Sequence, residues 1–273
     1  MSVAASNAAP ARPRQAVLLA AGRGSRAGAL CAQRPKALLP LAGRSLLERS
    51  VEALCAVGIE RLCLVGGWQL EALQAFVEVQ APLLRARGLA LELIEQPRWA
   101  ETGPAGSLCA AEALLQTAPT LVLYGDCVHA VGPLETVLTA YAGGLCVPGD
   151  RQWAALWSQR FAAPLEDAER WRSARGRLLD IGGRAESLDS ESAQFMGLCL
   201  IDPTAWRALR ACAAPAEFER LDFTRLFAAA LAQGQRIDCV EVDGGWLEVD
   251  SAADLSLYEQ LMHAHGAAHG VQA

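Results

Sequence analysis

A short apolar segment near the start of the chain runs directly into a loop of small and basic residues. Residues 17–21 are apolar, and residues 22–26 read Gly-Arg-Gly-Ser-Arg. Glycine lets the backbone turn tightly, so that consecutive N–H groups can point at an anion. Arg23, Arg26 and Lys36 add positive charge. The segment therefore predicts a strand followed by a loop that holds the phosphates of a nucleotide.

Strands and helices alternate along the first half of the chain. Apolar runs predict strands at 15–21, 60–65, 89–94 and 120–124. Helical periodicity predicts helices at 46–57, 69–79 and 108–115, the first with Ser45 as its N-cap. Continuous apolar strands that alternate with helices form a parallel sheet covered on both faces. The sequence thus predicts an α/β fold.

The pattern is less regular after residue 128. It predicts helices at 134–141, 203–212, 223–232 and 252–263, and strands at 145–147, 153–157, 177–181, 194–201 and 236–242. No linker divides the chain, so we expect a single domain over 15–265 with an insertion over roughly 145–200. Residues 1–14 and 266–273 are predicted to be a disordered leader and a flexible tail.

The balance of charges argues against a polyanionic partner. The 273 residues include 30 acidic and 24 basic side chains, so neither nucleic acid nor a membrane surface is an expected partner. The longest apolar runs are too short to cross a membrane. Nine cysteines form no C-x-x-C pair, which indicates reduced thiols and a cytoplasmic protein. The apolar fraction of 52% would permit a homodimer.

Acidic residues follow two of the apolar segments. Asp126 comes after the fourth predicted strand, and Glu248 and Asp250 end a short apolar stretch near the C-terminus. Ligands of doubly wound sheets bind beyond the carboxyl ends of the strands. Transfer chemistry on a triphosphate needs a divalent cation, and Mg²⁺ prefers carboxylate and phosphate oxygens. We therefore expect these three carboxylates to hold Mg²⁺. Helix capping is the alternative for Asp250, and Asp254 fits a capping box with Ser251.

Three motifs together resemble the nucleotidyltransferases that join a nucleoside triphosphate to a phosphorylated small molecule. Residues 19–26 match their L-A-A-G-x-G-x-R pattern, and Pro35-Lys36 matches the P-K that follows it. Tyr124-Gly125-Asp126 resembles their strand-end aspartate, and residues 246–255 resemble their E-x-D-[ST]-x-x-D-L segment. The resemblance implies a three-layer α/β/α Rossmann-like (GT-A-like) fold, with a mostly parallel mixed sheet and a small irregular insertion. It also implies an enzyme that releases pyrophosphate.

The middle of the chain resembles one subclass of these enzymes. Residues 176–183, 187–189 and 194–198 are similar to bacterial phosphocholine cytidylyltransferase-like proteins, including those that act on phosphonates such as 2-aminoethylphosphonate. The resemblance implies that CTP and a small phosphate or phosphonate acceptor are the substrates. The glycine-rich loop 101–107 resembles sugar nucleotidyltransferases instead, so a sugar-1-phosphate enzyme that uses UTP, GTP or dTTP is an alternative. A non-catalytic nucleotide-binding regulatory module is a third possibility.

In-line attack on the α-phosphorus needs alignment and charge neutralisation rather than a general base, because the acceptor oxygen is already anionic. We expect Lys36 to bridge the α-phosphate and the acceptor oxygen, and Arg26 to hold the β- and γ-phosphates. The nucleotide is expected to contact the first loop and the turns after later strands, at Leu19, Ala20, Ala21, Gly22, Arg23, Gly24, Gln96, Gly106 and Ser107.

An acceptor with an ammonium group would favour an aromatic wall and a carboxylate. The residues that could supply them in the irregular half of the chain are Trp153, Asp189, Phe195 and Trp246. Burial of the aromatic rings in the core is the alternative interpretation.

Overall fold

A computed structural model of the chain describes residues 12–188 and 193–269, apart from the side chains of 25–26 and 264–269. The predicted leader and tail therefore lie partly outside the described residues. The helices are α1 (Leu46–Ala56), α2 (Leu70–Ala86), α3 (Pro104–Ala110), α4 (Glu112–Leu115), α5 (Val131–Ala140), α6 (Trp153–Arg160), α7 (Pro203–Arg210), α8 (Pro215–Phe218), α9 (Phe223–Ala232) and α10 (Ala252–His269).

The strands of the described chain are β1 (Gln15–Ala20), β2 (Pro40–Leu41), β3 (Arg44–Ser45), β4 (Arg61–Gly66), β5 (Ala90–Glu95), β6 (Thr120–Tyr124), β7 (Cys127–His129), β8 (Leu145–Asp150), β9 (Glu169–Ala174), β10 (Arg177–Arg184), β11 (Gln194–Phe195), β12 (Leu198–Ile201), β13 (Ile237–Val242) and β14 (Trp246–Glu248). Short 3-10 turns cover Ser25–Cys31, Lys36–Leu38 and Pro164–Glu166.

One mixed sheet of ten strands carries the part of the fold that the structure describes. Its order is β5-β4-β1-β6-β12-β8-β13-β10-β9, and β11 pairs with β8. Strands β5, β4, β1 and β6 run parallel, and β8 runs parallel to β13. Strand β12 runs antiparallel between β6 and β8. The carboxyl ends of β1 and β6 consequently lie side by side.

Successive residues of β1 face opposite sides of this sheet. Ala16 and Leu18 join one buried cluster, whereas Val17 and Leu19 join the other. Side chains alternate along a strand, so a strand buried on both faces must be apolar throughout. Residues of α1, α2, α5 and α6 belong to the first cluster, and residues of α3, α4, α7 and α9 to the second. The predicted three-layer α/β/α fold is confirmed.

A two-stranded ribbon lies beyond the end of β6. After a short turn through Asp126, β7 pairs antiparallel with β14, with Cys127 opposite Glu248. The backbone N–H of Val249 donates to the carbonyl of Asp126 (3.0 Å). The hydroxyl of Tyr258 in α10 donates to the carbonyl of Glu248 (2.8 Å). The ribbon therefore brings acidic residues from two distant parts of the chain together.

The predicted bounds of the first helix agree with α1, whereas α2 continues to Ala86 and the predicted helix at 108–115 corresponds to α3 and α4. Ser45 caps α1 as predicted, because its Oγ accepts from the Glu48 N–H (3.1 Å) while Glu48 Oε2 accepts from the Ser45 N–H (2.6 Å). Such a reciprocal capping box satisfies two N–H groups that the helix leaves free. Within residues 12–188 and 193–269, no helix is both long enough and apolar enough to span a membrane.

The second half departs from its predicted pattern in several places. The predicted strand at 153–157 is wrong, because these residues belong to α6. Trp153 and Trp157 lie four positions apart, so they share one helix face, and both are buried in the first cluster. The pattern also misses β9, whose charged residues pair with β10 at the edge of the sheet. Segment 145–200, the predicted insertion, thus supplies β8 and β12 to the middle of the sheet. The predicted domain boundaries stay a prediction.

Candidate active site

The loop after β1 packs directly against Lys36. Gly24 has a φ of +66°, in the left-handed region that favours glycine. A Cβ at this position would lie 3.3 Å from Lys36 Cβ and 3.2 Å from Cys31 Sγ. Any side chain at Gly24 would therefore strain the backbone and push against the lysine.

Lys36 is buried between two carboxylates. Its Nζ donates to Asp126 Oδ2 (2.8 Å) and to Asp250 Oδ1 (2.7 Å). Burial by itself lowers the pKa of Lys36, but the charges of Asp126 and Asp250 outweigh it and the pKa rises above its usual value. The side chain thus holds a permanent positive charge at the ends of β6 and β14. Lys36 is also the only lysine of the chain.

Glu248 faces the same site from β14. Burial raises the pKa of Glu248 to about 8, and the negative charges of Asp250 and Asp126 act in the same direction. Three carboxylates and one lysine therefore meet where the first loop, the ribbon and the start of α10 come together. Crowded acidic groups of this kind are stabilised by a bound cation.

Two of these carboxylates fit a hard divalent cation. Ligand atoms of Asp126, Cys127 and Glu248 lie within 4.8 Å of one another. Burial raises the pKa of the Cys127 thiol well above its usual value, so the thiol stays neutral and the ionisable oxygens remain the better ligands. Mg²⁺ takes one or two carboxylates and completes its shell with phosphate oxygens and water. The residues present at this site fit that pattern.

A cavity of about 280 Å³ connects these groups to the first loop. Its floor includes Lys36, Asp126 and Glu248, and its walls include Tyr124 and Asp222. The remaining lining residues come from the end of β1 and the loop after it, the turn that begins at Lys36, the loop before α3 and its first turns, and the turn after β6: Leu19, Ala20, Ala21, Gly22, Gly24, Ala37, Trp99, Thr102, Gly103, Pro104, Ser107 and Gly125. An apolar slot that ends in a cation and carboxylates can take a nucleotide with its phosphates toward Lys36.

Comparison with known families identifies the chain. The sequence profile of the MobA-like NTP transferase domain matches residues 16–185. The chain belongs to the MobA-like NTP transferase family. It is therefore a nucleotidyltransferase, an enzyme of EC 2.7.7 type, and the predicted family membership is confirmed.

Relatives of this nucleotidyltransferase include cytidylyltransferases. It is 25% identical over 261 residues to CTP:phosphoglutamine cytidylyltransferase of Campylobacter jejuni, covering 89% of this chain and 98% of that protein. It is 31% identical over 250 residues to the bifunctional IPC transferase and DIPP synthase of Rubrobacter xylanophilus, covering 90% of this chain and 51% of that protein. The inositol-1-phosphate CTP transferase of T. maritima has the same fold, with a TM-score of 0.74, 19% identity and coverage of 97% and 100%.

The predicted nucleotide-binding residues of this nucleotidyltransferase fall into three groups. Leu19, Ala20, Ala21, Gly22, Gly24 and Ser107 line the cavity. Gln96 and Gly106 instead support the α3 loop, because Gln96 Nε2 donates to the Gly106 carbonyl (2.8 Å) and a Cβ on Gly106 would lie 2.5 Å from the Glu219 carbonyl oxygen. Arg23 is exposed, with its guanidinium 4.9 Å from the ring centre of Trp68. The side chain of Arg26 lies outside the described residues.

The predicted acceptor residues are mostly in the core. Trp153 and Trp246 are 0% and 4% exposed and do not line the cavity beside Lys36, so the interpretation that they form its acceptor wall is corrected. The reason is packing: Trp153 contacts Trp157 edge-on, and Trp246 donates its indole N–H to buried Asp150 (2.9 Å). Phe195 packs behind Tyr124, with ring centres 6.1 Å apart. Asp189 lies outside the described residues.

Two residues of the site have no counterpart in the sequence prediction. Arg160, at the end of α6, reaches Glu248, Asp250 and Asp254. Asp222, the N-cap of α9, lines the cavity. Both belong to segments without a motif. The spacing of Trp157 and Arg160 on one helix face would have pointed to Arg160, and no signal in the sequence places Asp222 at the cavity. Asp254 pairs with Ser251 as predicted, its Oδ2 accepting from the Ser251 N–H (2.8 Å).

Proposed function

We propose that this nucleotidyltransferase is a Mg²⁺-dependent cytidylyltransferase. It transfers CMP from CTP to a phosphocholine-like phosphate or to a phosphonate such as 2-aminoethylphosphonate, and it releases pyrophosphate. The observation that carries the proposal is the position of Lys36, whose ammonium bridges Asp126 and Asp250 on the floor of the loop-lined cavity. The fixed ammonium can contact the phosphates of a triphosphate, and carboxylates of the site can hold the divalent cation that accompanies it.

The reaction is an in-line displacement at the α-phosphorus. An anionic oxygen of the acceptor forms the new P–O bond, and the bond from the α-phosphorus to the bridging oxygen breaks, so the electron pair leaves with pyrophosphate. Lys36 holds the α-phosphate and the incoming oxygen in line, which lowers the entropic part of the barrier. Its ammonium also offsets the negative charge that builds up in the transition state.

The other charged residues of the site are assigned to Mg²⁺, to Lys36 and to the triphosphate. Asp126 and Glu248 hold Mg²⁺, and Asp250 orients Lys36 and contributes to the same cluster. When bound, Mg²⁺ neutralises phosphate oxygens and assists departure of pyrophosphate. Backbone N–H groups of the loop after β1 contact the phosphates, and Arg26 is assigned to the β- and γ-phosphates.

Cytosine as the base is supported by the relatives. Two of the three proteins described above carry CTP in their names, and one of them matches along almost its whole length. The loop 101–107 borders the cavity next to the glycine loop, where a base would stack or hydrogen-bond. A sugar nucleotidyltransferase that uses UTP, GTP or dTTP would place its base on this same loop, so the experiment below includes these triphosphates.

The acceptor side of the cavity has a carboxylate and an aromatic ring. Asp222 Oδ1 accepts from the Arg225 N–H (2.8 Å) and the Thr224 hydroxyl (3.1 Å), whereas Oδ2 lies 3.4 Å from the exposed Arg225 Nε. The Tyr124 hydroxyl accepts from the Phe223 N–H (3.1 Å), which fixes its ring beside Asp222. An acceptor with an ammonium group a few bonds from its phosphorus would be attracted by both groups.

A substrate matrix tests the proposal. Pyrophosphate release is measured with CTP, UTP, GTP and dTTP against phosphocholine, 2-aminoethylphosphonate, other phosphonates and sugar 1-phosphates, with Mg²⁺ or EDTA. We expect release with CTP and an amino-alkyl acceptor only when Mg²⁺ is present. Preference for a sugar 1-phosphate with another triphosphate would replace this proposal by the sugar enzyme. Nucleotide binding without any release would point to a regulatory module.

A further inference from the structure

Arg160 is a buried cation directly behind the acidic cluster. Its side chain is 0% exposed although it carries a full charge. The guanidinium lies 4.7 Å from the ring centre of Trp157 and 4.8 Å from that of Phe161, so two aromatic rings enclose it. A charge so completely removed from water is stable only when it is paired and its geometry is fixed.

Three carboxylates supply that pairing. Arg160 Nε donates to Asp254 Oδ1 at 3.0 Å, while its two terminal nitrogens lie 3.5 Å from Glu248 Oε2 and Asp250 Oδ2. Asp254 is itself fixed, because its Oδ2 accepts from the backbone N–H groups of Asp250 (2.9 Å) and Ser251 (2.8 Å). The planar fork of an arginine can hold several oxygens in one arrangement, which a lysine cannot do.

The contacts divide the carboxylate oxygens between two cations. Asp250 presents Oδ1 to Lys36 and Oδ2 to Arg160. Glu248 presents Oε2 to Arg160, and its carboxylate also approaches Asp126 in the group that could hold a metal. Arg160 therefore constrains Glu248, which lines the cavity, and Asp250, which contacts Lys36.

We propose that Arg160 is a positioning residue that preorganises Glu248 for the divalent cation and Asp250 for its contact with Lys36. This inference rests on the proposed metal site. Arg160 does not line the cavity, so it acts through the carboxylates and contacts neither substrate.

Charge and orientation have opposite effects here, which makes the inference testable. A positive charge behind the ligands repels an incoming cation, so removing Arg160 would tighten metal binding if charge alone mattered. If orientation dominates, removal weakens binding, and loss of a residue that orients metal ligands commonly costs about 10–100-fold in metal affinity. The sign of the change in metal affinity therefore distinguishes the two roles.

The experiment measures Mn²⁺ binding by electron paramagnetic resonance, with CTP present and acceptor omitted so that no turnover occurs. Arg160→Met is expected to raise the Kd for Mn²⁺ about tenfold or more. Arg160→Lys keeps the charge but loses the fork, so it is expected to raise the Kd by at least as large a factor, because the repulsion of the cation remains while the orientation is lost. Thermal unfolding in EDTA is recorded for each variant, because a buried ion network also contributes to stability.

Two controls separate positioning from general damage. Arg151→Met removes an arginine whose partner is Asp243, both about half exposed, and should leave the Kd for Mn²⁺ unchanged. Trp206→Phe destabilises the core on the other face of the sheet and should lower the Tm without changing that Kd. A change in Arg160→Met but in neither control supports the inference.

The outcomes that overturn it are distinct from failure of the proposed function. If wild-type protein binds Mn²⁺ and Arg160→Met binds it equally or more tightly, the positioning role is wrong while the metal site stands. If Arg160→Met does not fold, Arg160→Lys decides, and a wild-type Kd in that variant overturns the role. If wild-type protein does not bind Mn²⁺ at all, the metal part of the proposed function fails together with this inference.

Discussion

Lys36 Nζ lies 2.7 Å from Asp250 Oδ1, although 214 positions separate the two residues in the sequence. Both side chains are about nine-tenths buried, so the pair is shielded from water and only weakly screened by salt. Removal of either partner would leave an uncompensated charge in a buried site. The contact thus ties the end of the first loop region to the start of α10.

Replacement of Lys36 tests its assigned role. Lys36→Met should lower kcat by about 100-fold or more, because a fixed donor aimed at developing charge commonly contributes that much. The KM for CTP should change less, since backbone groups of the loop still hold the nucleotide. Steady-state pyrophosphate release gives both constants, and circular dichroism checks the fold. A folded variant with the wild-type kcat would contradict the role.

Since the chain has one lysine, its reactivity can be measured without mutation. Acylating reagents need a neutral amine. Burial lowers the pKa of Lys36, but the two carboxylates raise it by a larger amount, so the net pKa is raised and the amine stays protonated. It should therefore react far more slowly than the N-terminal amine. Intact-mass spectrometry after N-hydroxysuccinimide acetate at pH 8 should show one fast addition. Two equally fast additions would mean that Lys36 is not held as described.

Metal removal should abolish activity. EDTA is expected to stop pyrophosphate release and added Mg²⁺ to restore it, because two carboxylates without their cation repel the triphosphate. Asp126→Asn should raise the Mg²⁺ concentration needed for half-maximal rate by about tenfold. Asp243→Asn, a change in a half-exposed surface pair, is the matched control. Equal Mg²⁺ dependence in both variants would exclude Asp126 as a ligand.

Asp222 should govern the choice of acceptor. Asp222→Asn keeps the side-chain oxygen that caps α9 but removes the charge facing the cavity. Loss of a charge-assisted contact costs about 1.5–3 kcal/mol, so the KM for an amino-alkyl phosphonate should rise about tenfold or more. The KM for CTP should not move. A neutral hydroxyl analogue of the acceptor should be affected little, and an equal rise for both acceptors would argue against an ammonium contact.

The sequence predicted those parts of the site that belong to continuous motifs. Lys36 and Asp126 each follow an element that a short stretch of sequence is enough to predict. Because β1 and β6 are parallel neighbours, the segments that follow them lie at the same edge of the sheet. The core strands were predictable for the same reason, since β1 and β6 are apolar throughout.

Residues that reach the site from irregular segments were not predictable. Arg160 is placed by α6, which the aromatic pattern at 153–157 did not distinguish from a strand. The sequence around Asp222 is explained by its role as the N-cap of α9. Only the tertiary position of α9 brings this side chain to the cavity wall. Trp153 and Trp246 show the opposite kind of error, in which residues predicted to contact a ligand are buried in the core. Large aromatic rings in a short element are usually core residues.

His129 should make stability depend on pH. It is 3% exposed, its Nε2 lies 2.7 Å from the Met196 carbonyl oxygen, and its Nδ1 has no hydrogen-bond partner among the described residues. Burial lowers the pKa of His129 to about 4, from an ordinary value of 6.5. Above pH 6.5 both folded and unfolded forms are neutral, so the folded state keeps its full stability. Between pH 6.5 and 4 only the unfolded chain takes up the proton, and stability is lost as pH falls.

A substitution isolates this contribution from the titration of carboxylates. His129→Gln can keep the hydrogen bond to Met196 but cannot titrate. The free energy of unfolding of wild type relative to this variant should fall by roughly 3 kcal/mol between pH 7 and pH 4. Urea denaturation at several pH values measures the difference, with His263→Gln, at an exposed position, as the control. If the difference between wild type and His129→Gln stays constant with pH, the buried neutral imidazole is not the cause of acid sensitivity.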